Sequence, residues 1–168
     1  MENIFLIGFM GSGKSTIACE LKKQLGMELV EMDARIVKEQ GMSINDIFAQ
    51  YGEDHFRDIE SRLILTIGDE GNTIVSCGGG VIVRPQNTEY MKKSGKVVYL
   101  KATPETIYER VKHSTDRPIL NGNMNVEYIA ELMEKRRPLY EGAADITIVT
   151  DGKGRDEICK EIIQYVKG

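Results

Sequence analysis

The segment IGFMGSGKST, residues 7–16, constrains the fold more than any other part of the sequence. It follows an apolar run, NIFLIG at 3–8, that predicts a strand, and it precedes a pattern that predicts a helix opening at Lys14. A glycine-rich turn between a buried strand and a helix is typical of α/β domains, where such turns line the carboxyl edge of a parallel sheet. The rest of the chain should therefore supply further units of strand and helix.

Apolar runs and helical patterns do alternate along the remaining sequence. Four more strands are predicted, in ELVEM (28–32), TIVSC (73–77), KVVYLK (96–101) and DITIVT (145–150). Helical patterns open at Lys14, after Asp33, near Ser43, near Asp54, after Pro85, at Pro104, after Asn125 and at Arg155. Five strands separated by helices predict an α/β fold with three αβα layers around a five-stranded parallel sheet. We expect one domain over residues 1–168.

Composition and charge exclude several classes of protein. The net charge of −4 argues against general binding of nucleic acid. Three cysteines lie far apart without CxxC spacing, which argues against a disulfide framework or a zinc site and for a reducing compartment. The start MENIFLIGFMG is not typical of a signal peptide, and no run approaches 18 apolar residues. We expect a soluble cytoplasmic protein that binds no membrane.

The glycine-rich segment matches the phosphate-binding pattern G-x-x-x-x-G-K-[ST] through Gly8, Gly13, Lys14 and Ser15. Backbone N–H groups and the helix N-terminus would wrap phosphates, Lys14 would reach the β- and γ-phosphates, and the Ser15 hydroxyl would bind Mg²⁺. No NKxD run is present to recognise guanine, and the chain is short for a large ATPase. These features favour a small kinase.

Two further segments should reach the same edge of the sheet. Glu31 and Asp33 are predicted two apart on the second strand, facing one side, where a carboxylate could hold a metal-bound water or accept a proton from a hydroxyl. The alternative for Asp33 is an N-cap for the next helix. The run CGGGV, 77–81, ends the third strand without side chains, either for a substrate to lie on the backbone or as a tight turn.

The arginines differ in their predicted surroundings. Arg136 has apolar or aromatic residues three and four positions away, so it is predicted to face inward and meet an anion. Arg137 has Glu134 and Glu141 at those spacings, which predicts a solvated ion pair. Acidic neighbours at helical spacing around Arg57 favour an exposed salt-bridge face. Arg117 lies in the polar segment HSTDRPILNGNMN, 113–125, as either a lid residue or a loop charge.

Taken together, these segments resemble the shikimate kinase family. The resemblance rests on GFMGSGKST, EMDARI, GMSINDIFAQYGEDHFRDIE, SCGGGVI, DRPIL and RRPLYEGAADI, which occur in family order between residues 8 and 146. It implies a P-loop fold like that of the nucleoside monophosphate kinases, with a substrate-binding helical region at about 34–60 and a mobile lid at about 113–125. It also implies a monomer that transfers the γ-phosphoryl group of ATP to the 3-hydroxyl of shikimate, on the route to chorismate and the aromatic amino acids.

The resemblance also assigns roles to residues. Asp33, Lys14 and Arg117 would be catalytic. The ATP site would comprise Gly11, Ser12, Gly13, Lys14, Ser15, Thr16, Arg110, Arg117 and Arg155, with Arg110 stacked on adenine. Shikimate would contact Asp33, Arg57, Gly78, Gly79, Gly80 and Arg136, with the two arginines on its carboxylate and Glu60 holding Arg57. Mg²⁺ would be held by Ser15 and, through water, by Glu31, which stands where the family commonly has Asp.

Overall fold

The computed structural model describes residues 2–113 and 124–168. The strands are β1 (Asn3–Ile7), β2 (Glu28–Glu31), β3 (Thr73–Ser76), β4 (Gly95–Lys101) and β5 (Ile146–Val149). The helices are α1 (Lys14–Leu25), α2 (Met32–Gln40), α3 (Ile44–Tyr51), α4 (Glu53–Glu70), α5 (Pro85–Ser94), α6 (Pro104–Val111), α7 (Val126–Ala143) and α8 (Arg155–Lys167), with a 3₁₀ turn at Val81–Val83.

The strands form one parallel sheet in the order β2-β3-β1-β4-β5. β1 lies at its centre, where Phe5 is aligned with Val75 of β3 and with Val97 of β4. All five residues of β1 are buried, as expected for a strand that is covered on both faces. The predicted five-stranded parallel sheet is therefore confirmed, and each predicted strand lies within one or two residues of its observed bounds.

Helices cover both faces of the sheet. Successive side chains of β1 point to opposite faces, so both faces carry apolar side chains that must be buried. Ile4 and Leu6 pack in a cluster with residues of α1 and α8. Phe5 and Ile7 pack in a second cluster with residues of α2, α3, α4, α5 and α7. The three-layer αβα arrangement is thereby confirmed.

Local sequence explains the starts of α3, α5, α6 and α7. The side chains of Ser43, Thr103 and Asn125 each accept a hydrogen bond from a backbone N–H of the first turn that follows. Proline occupies the first position of α5 and α6, where its missing N–H has no helical partner to lose. The predicted helix starts are confirmed to within two residues, and the 3₁₀ turn was not predicted.

Two sequence-based expectations about the fold remain predictions. Most of the predicted lid at 113–125, including Arg117, lies outside the described residues. The boundaries of a single domain over 1–168 are likewise untested. Of the helices within residues 2–113 and 124–168, none is both long and apolar enough to cross a membrane.

Asn3 ties the start of the central strand to two neighbouring elements. Its fully buried side chain accepts a hydrogen bond from Thr73 N at 2.9 Å and donates one to Ile67 O at 3.4 Å. Asn3→Ala would leave the buried Thr73 N–H without this acceptor, so we expect the free energy of unfolding to fall by about 1–3 kcal/mol. Urea denaturation measures this change. For the control Gln50→Ala, at an exposed position of α3, we expect a change within about 0.5 kcal/mol, and equal losses would contradict the assignment.

Candidate active site

The carboxyl ends of β1, β2 and β3 open onto a cavity of about 520 Å³. Open α/β sheets place ligands at this edge, where loops from neighbouring strands converge. Its lining comes from the phosphate-binding loop at 8–15 (the P-loop), the start of α2, the residues after β3, and single arginines of α4, α6 and α7. The sequence segments that were assigned functions thus surround one space.

The P-loop has the backbone geometry that its glycines permit. Gly11 and Gly13 have φ values of 81° and 99°, which residues with a side chain rarely adopt. Gly13 stands immediately before the first helical residue, Lys14, whose Nζ donates to the carbonyl oxygens of Gly8 at 2.7 Å and Phe9 at 3.1 Å. The loop therefore presents backbone N–H groups, a helix N-terminus and an ordered ammonium group in one place, as phosphate binding requires.

The carboxylates after β2 lie in the cavity, although their local structure differs from the prediction. β2 ends at Glu31, and Asp33 lies in the first turn of α2 rather than on the strand. The N-cap interpretation of Asp33 is also wrong, because Glu31 occupies the cap position and makes no capping hydrogen bond with its side chain. Ser15 Oγ donates to Glu31 Oε2 at 3.0 Å, which joins the P-loop to β2.

The glycines after β3 are required by close approach. A Cβ on Gly80 would lie 2.3–2.5 Å from guanidinium atoms of Arg57. A Cβ on Gly78 would lie 2.7 Å from Glu60 Oε2 and 2.9 Å from Asp33 Oδ1. No residue with a side chain fits at these two positions without displacing a charged group. Residues 78–80 therefore form a glycine platform against which charged side chains pack.

Arg57 is the first of two buried arginines at this site. It is 5% exposed, and its Nη1 donates to Glu60 Oε1 at 2.7 Å, while Glu53 binds its other edge. Burial lowers the pKa of the guanidinium, but the two carboxylates outweigh burial and raise it above its ordinary value. The prediction that Arg57 lies on an exposed face is wrong. The predicted ion pairs with acidic residues at helical spacing are present.

Arg136 lies on the inward face of α7, as its apolar neighbours predicted. It is 6% exposed, its Cζ lies 5.8 Å from the centroid of the Phe9 ring, and it lines the cavity. Its Nη1 is buried and has no hydrogen-bond partner among the described residues. The next residue, Arg137, is exposed and pairs with Glu134 and Glu141, which confirms the predicted solvated ion pairs.

Comparison with known proteins agrees with this geometry. The family model described as shikimate kinase matches residues 10–167. The chain belongs to the shikimate kinase family. A shikimate kinase of Dehalococcoides mccartyi is 45% identical over 161 residues, covering 96% of this chain and 91% of that protein.

Solved structures give the same result. Shikimate kinase from Acinetobacter baumannii in complex with shikimate superposes with a TM-score of 0.94 at 31% identity, covering 99% of this chain and 93% of that one. The enzyme from Aquifex aeolicus gives a TM-score of 0.85 at 34% identity, with coverages of 99% and 96%. The predictions of the family and of an ATP-dependent small-molecule kinase are thereby confirmed.

Most residues that the family resemblance had assigned meet at the cavity, and a few do not. Its lining includes Gly11, Gly13, Lys14, Ser15, Thr16, Glu31, Asp33, Arg57, Gly78, Gly79, Gly80, Arg110 and Arg136. Ser12 is buried inside the P-loop, where its N–H donates to Phe9 O at 3.1 Å, and it does not line the cavity. Arg155 is exposed at the first position of α8 and also lies outside the lining. Arg117 lies outside the described residues, so its role stays a prediction.

Sequence reasoning missed the aromatic part of the site. Phe48 and Phe56 line the cavity with ring centroids 5.2 Å apart. The Tyr140 hydroxyl donates a hydrogen bond to Gly79 O, and its ring stacks on Tyr99 at 5.0 Å. The apolar positions of 44–56 were a usable signal for the two phenylalanines. The contact between Tyr140 and Gly79 joins residues 61 positions apart and has no local signature.

Glu60 is the buried carboxyl group beneath the glycine platform. It is fully buried, and its Oε2 has no hydrogen-bond partner among the described residues. Burial raises the pKa of Glu60 from 4.5 to about 7, against the opposing effect of Arg57, and the nearby Asp33 raises it further. Cys77, beside the platform, is also buried, and burial raises the pKa of its thiol, which keeps it unreactive.

The raised pKa of Glu60 gives stability a specific dependence on pH. Between pH 4.5 and about 7 the folded chain holds a proton that the unfolded chain has released, so the stability from this group is lost as pH rises. Glutamine mimics the protonated form at every pH. We therefore expect the free energy of unfolding of the native protein to fall relative to Glu60→Gln, by on the order of 3 kcal/mol across this window.

Urea denaturation at half-unit steps of pH measures this difference. The matched control is Glu53→Gln, at the exposed carboxylate on the other edge of Arg57, which removes no buried carboxyl group. Parallel curves for the native protein and Glu60→Gln would contradict the expected titration.

Proposed function

We propose that this protein transfers the γ-phosphoryl group of ATP to the 3-hydroxyl of shikimate, giving shikimate 3-phosphate and ADP. The observation that carries the proposal is the buried, unpaired Nη1 of Arg136, which shares its cavity with the P-loop. A buried guanidinium N–H group without an acceptor is unfavourable, and an anionic substrate removes that cost. The neighbouring Arg57 supplies a second guanidinium to the same space.

Two arginines suit a carboxylate better than two lysines would. The planar guanidinium offers parallel N–H donors that match the two oxygens of a carboxylate. Glu60 and Glu53 hold Arg57 in orientation, and the Phe9 ring lies beneath Arg136. We therefore assign both arginines to the shikimate carboxylate, with the glycine platform beside the ring. The relative from Acinetobacter baumannii was solved with shikimate, which supports this substrate.

Asp33 is the residue best placed to handle the acceptor hydroxyl. Its Oδ1 approaches Gly78 on the platform, and it lines the cavity together with Lys14. A carboxylate at hydrogen-bond range of an alcohol orients it and accepts its proton as the new O–P bond forms. Catalysis on this account comes mainly from positioning and from charge stabilisation.

The P-loop would hold the phosphates of ATP. Backbone N–H groups from Gly11 to Thr16 and the helix dipole of α1 attract their negative charge, and Lys14 adds a full positive charge. Arg110 Nη1 donates to Gly11 O at 2.9 Å, so this arginine lies beside the P-loop, and we propose that it stacks on the adenine of ATP. Arg117 as a second catalytic cation and Arg155 as a nucleotide contact belong to the same proposal.

The residues present also fit Mg²⁺. Ser15 Oγ and Glu31 Oε2 lie 3.0 Å apart at the edge of the P-loop, and both are hard oxygen ligands. Within residues 2–113 and 124–168, no group of three or more His, Cys, Asp or Glu forms a metal site. This fits a cation bound by few side chains and by phosphates, with Glu31 acting through water. When bound, Mg²⁺ would neutralise charge on the phosphates.

We further propose that the protein is a monomer and that it is cytoplasmic.

Steady-state release of ADP from Mg-ATP tests the function directly. We expect strong stimulation by shikimate and none by gluconate, quinate or a nucleoside monophosphate. Stimulation by another of these acceptors would retain phosphoryl transfer but overturn the substrate. ATP binding without turnover of any acceptor would instead indicate a nucleotide-responsive binding protein.

Removing the guanidinium of Arg136 tests the carboxylate site. For Arg136→Ala we expect kcat/KM for shikimate to fall by an amount equivalent to about 2–5 kcal/mol, with a small effect on the KM for ATP. The control is Arg137→Ala, the adjacent exposed arginine, for which we expect kcat/KM within about threefold of native, since surface pairs contribute little. Equal losses in both variants would remove Arg136 from the site.

Asp33→Asn tests the role of the carboxylate. Asparagine keeps the shape but does not accept the hydroxyl proton, so we expect loss of about 10²–10⁴-fold in kcat. ATP affinity, measured by calorimetry, should stay close to native because the P-loop is unchanged. Turnover near the native rate would show that Asp33 serves only the local structure of α2.

A further inference from the structure

A second cavity, of about 330 Å³, borders the P-loop at Phe9. It is bounded by the carboxyl ends of β4 and β5, the start of α6 and one face of α7. Among the described residues it shares no lining residue with the active-site cavity. Its volume lies within the range of small-molecule sites.

The walls of this second cavity suit a flat ring. Phe9, Tyr99 and Tyr140 line it, and each is less than 5% exposed. Tyr99 and Tyr140 stack on each other with an interplanar angle of 17°, so this aromatic wall is rigid and can contact a ligand mainly through ring edges. Edge-to-face contact between aromatic rings is favourable, so these edges suit an aromatic ligand. Ala130 and Met133, from one face of α7, complete the apolar lining.

Of the residues that the structure describes, four with charged side chains line the cavity, two acidic and two basic, and one of the basic groups has only a weak partner. Arg137 and Glu134 are paired with each other at 2.8 Å. Asp151 accepts a hydrogen bond from Thr106 Oγ1 at 2.7 Å. Lys101 is the least engaged, because its Nζ lies 3.8 Å from Glu141, the longest ion pair among the described residues. A ligand carboxylate is the natural partner for this ammonium group.

Two walls of the second cavity also support the catalytic groups. Tyr140 donates its hydroxyl hydrogen bond to Gly79 O, in the glycine platform. The Phe9 ring lies under Arg136, with 5.8 Å between its centroid and the guanidinium carbon. A molecule in contact with these rings therefore acts on the supports of the proposed shikimate site. Allosteric coupling requires that a ligand at one site interact differently with two states of the other site, and contact with these supports provides such a route.

We propose that the second cavity binds a small aromatic carboxylate and that its occupancy changes the affinity of the active site for shikimate. The binding step stands on this cavity alone, whereas the coupling rests on the proposed function. The two parts are therefore measured separately.

Binding is measured by NMR on protein labelled with ¹³C at the methionine methyl groups, with 2-naphthoate as the probe. Met133 lines the second cavity and Met10 lines the active-site cavity, so the two signals distinguish the sites. Saturating shikimate is present to keep the probe away from Arg57 and Arg136. We expect a saturable shift of the Met133 methyl and none of Met10. Shifts confined to Met10 and reversed by shikimate, or no shift at all, would overturn the proposal.

Variants test the chemistry of binding. Ala130→Phe fills the second cavity, and we expect it to weaken 2-naphthoate at least about tenfold. Gln164→Phe, at an exposed position of α8, is the matched control and should bind as native does. Lys101→Met should weaken 2-naphthoate about threefold while leaving its uncharged analogue 2-naphthalenemethanol unaffected. Native affinity in Ala130→Phe would overturn the assignment of the site.

Coupling is measured as the KM for shikimate with and without 2-naphthoate. We expect a change of at least about twofold in native protein and in Gln164→Phe, and none in Ala130→Phe. Binding at Met133 with an unchanged KM would overturn the coupling. Failure of the proposed function is seen separately, as an absence of shikimate-dependent ADP release before any probe is added.

Discussion

The buried ion pair between Arg57 and Glu60 is the interaction on which the site depends. It takes two charges out of water, which is unfavourable unless geometry and further hydrogen bonds compensate. The 2.7 Å contact and the second carboxylate, Glu53, provide that compensation. The same pair explains the glycine platform, because side chains at 78 and 80 would collide with Glu60 and Arg57. Removing Arg57 would take away the main group that favours the charged form of Glu60, whereas removing Glu60 would leave Arg57 with Glu53 alone.

The sheet order explains how distant segments come together. In the order β2-β3-β1-β4-β5, the strands that precede Asp33, the glycine platform and the P-loop are adjacent, with β3 in the middle. Parallel strands end at one edge, so three loops separated by many residues lie side by side. α4 and α7, which pack on one face of the sheet, then add one arginine each. The fold thus supplies a phosphate-binding end and an anion-binding end to one cavity.

The features that sequence predicted are those determined by near neighbours in the chain. Ser43 and Asn125 cap the helices that follow them, and the P-loop pattern is contiguous, so these features were predictable. Arg136 was correctly placed inward because its own helix neighbours are apolar. Arg57 was not, because its guanidinium packs against Gly80, which is distant in the sequence and leaves no mark on the residues around Arg57. Asp33 was misplaced because β2 ends at Glu31 and no residue between them marks the change to a helix.

The hydrogen bonds of Lys14 have a consequence for how binding free energy is used. A free lysine side chain has many rotamers, and ordering it on a ligand costs about 0.5–1.5 kcal/mol. Here the carbonyl groups of Gly8 and Phe9 already fix the ammonium group within its own loop. A phosphate group therefore meets a charge whose conformational entropy was lost when the chain folded. The entropy cost of ordering Lys14 therefore lowers the free energy of unfolding and not the affinity for the ligand.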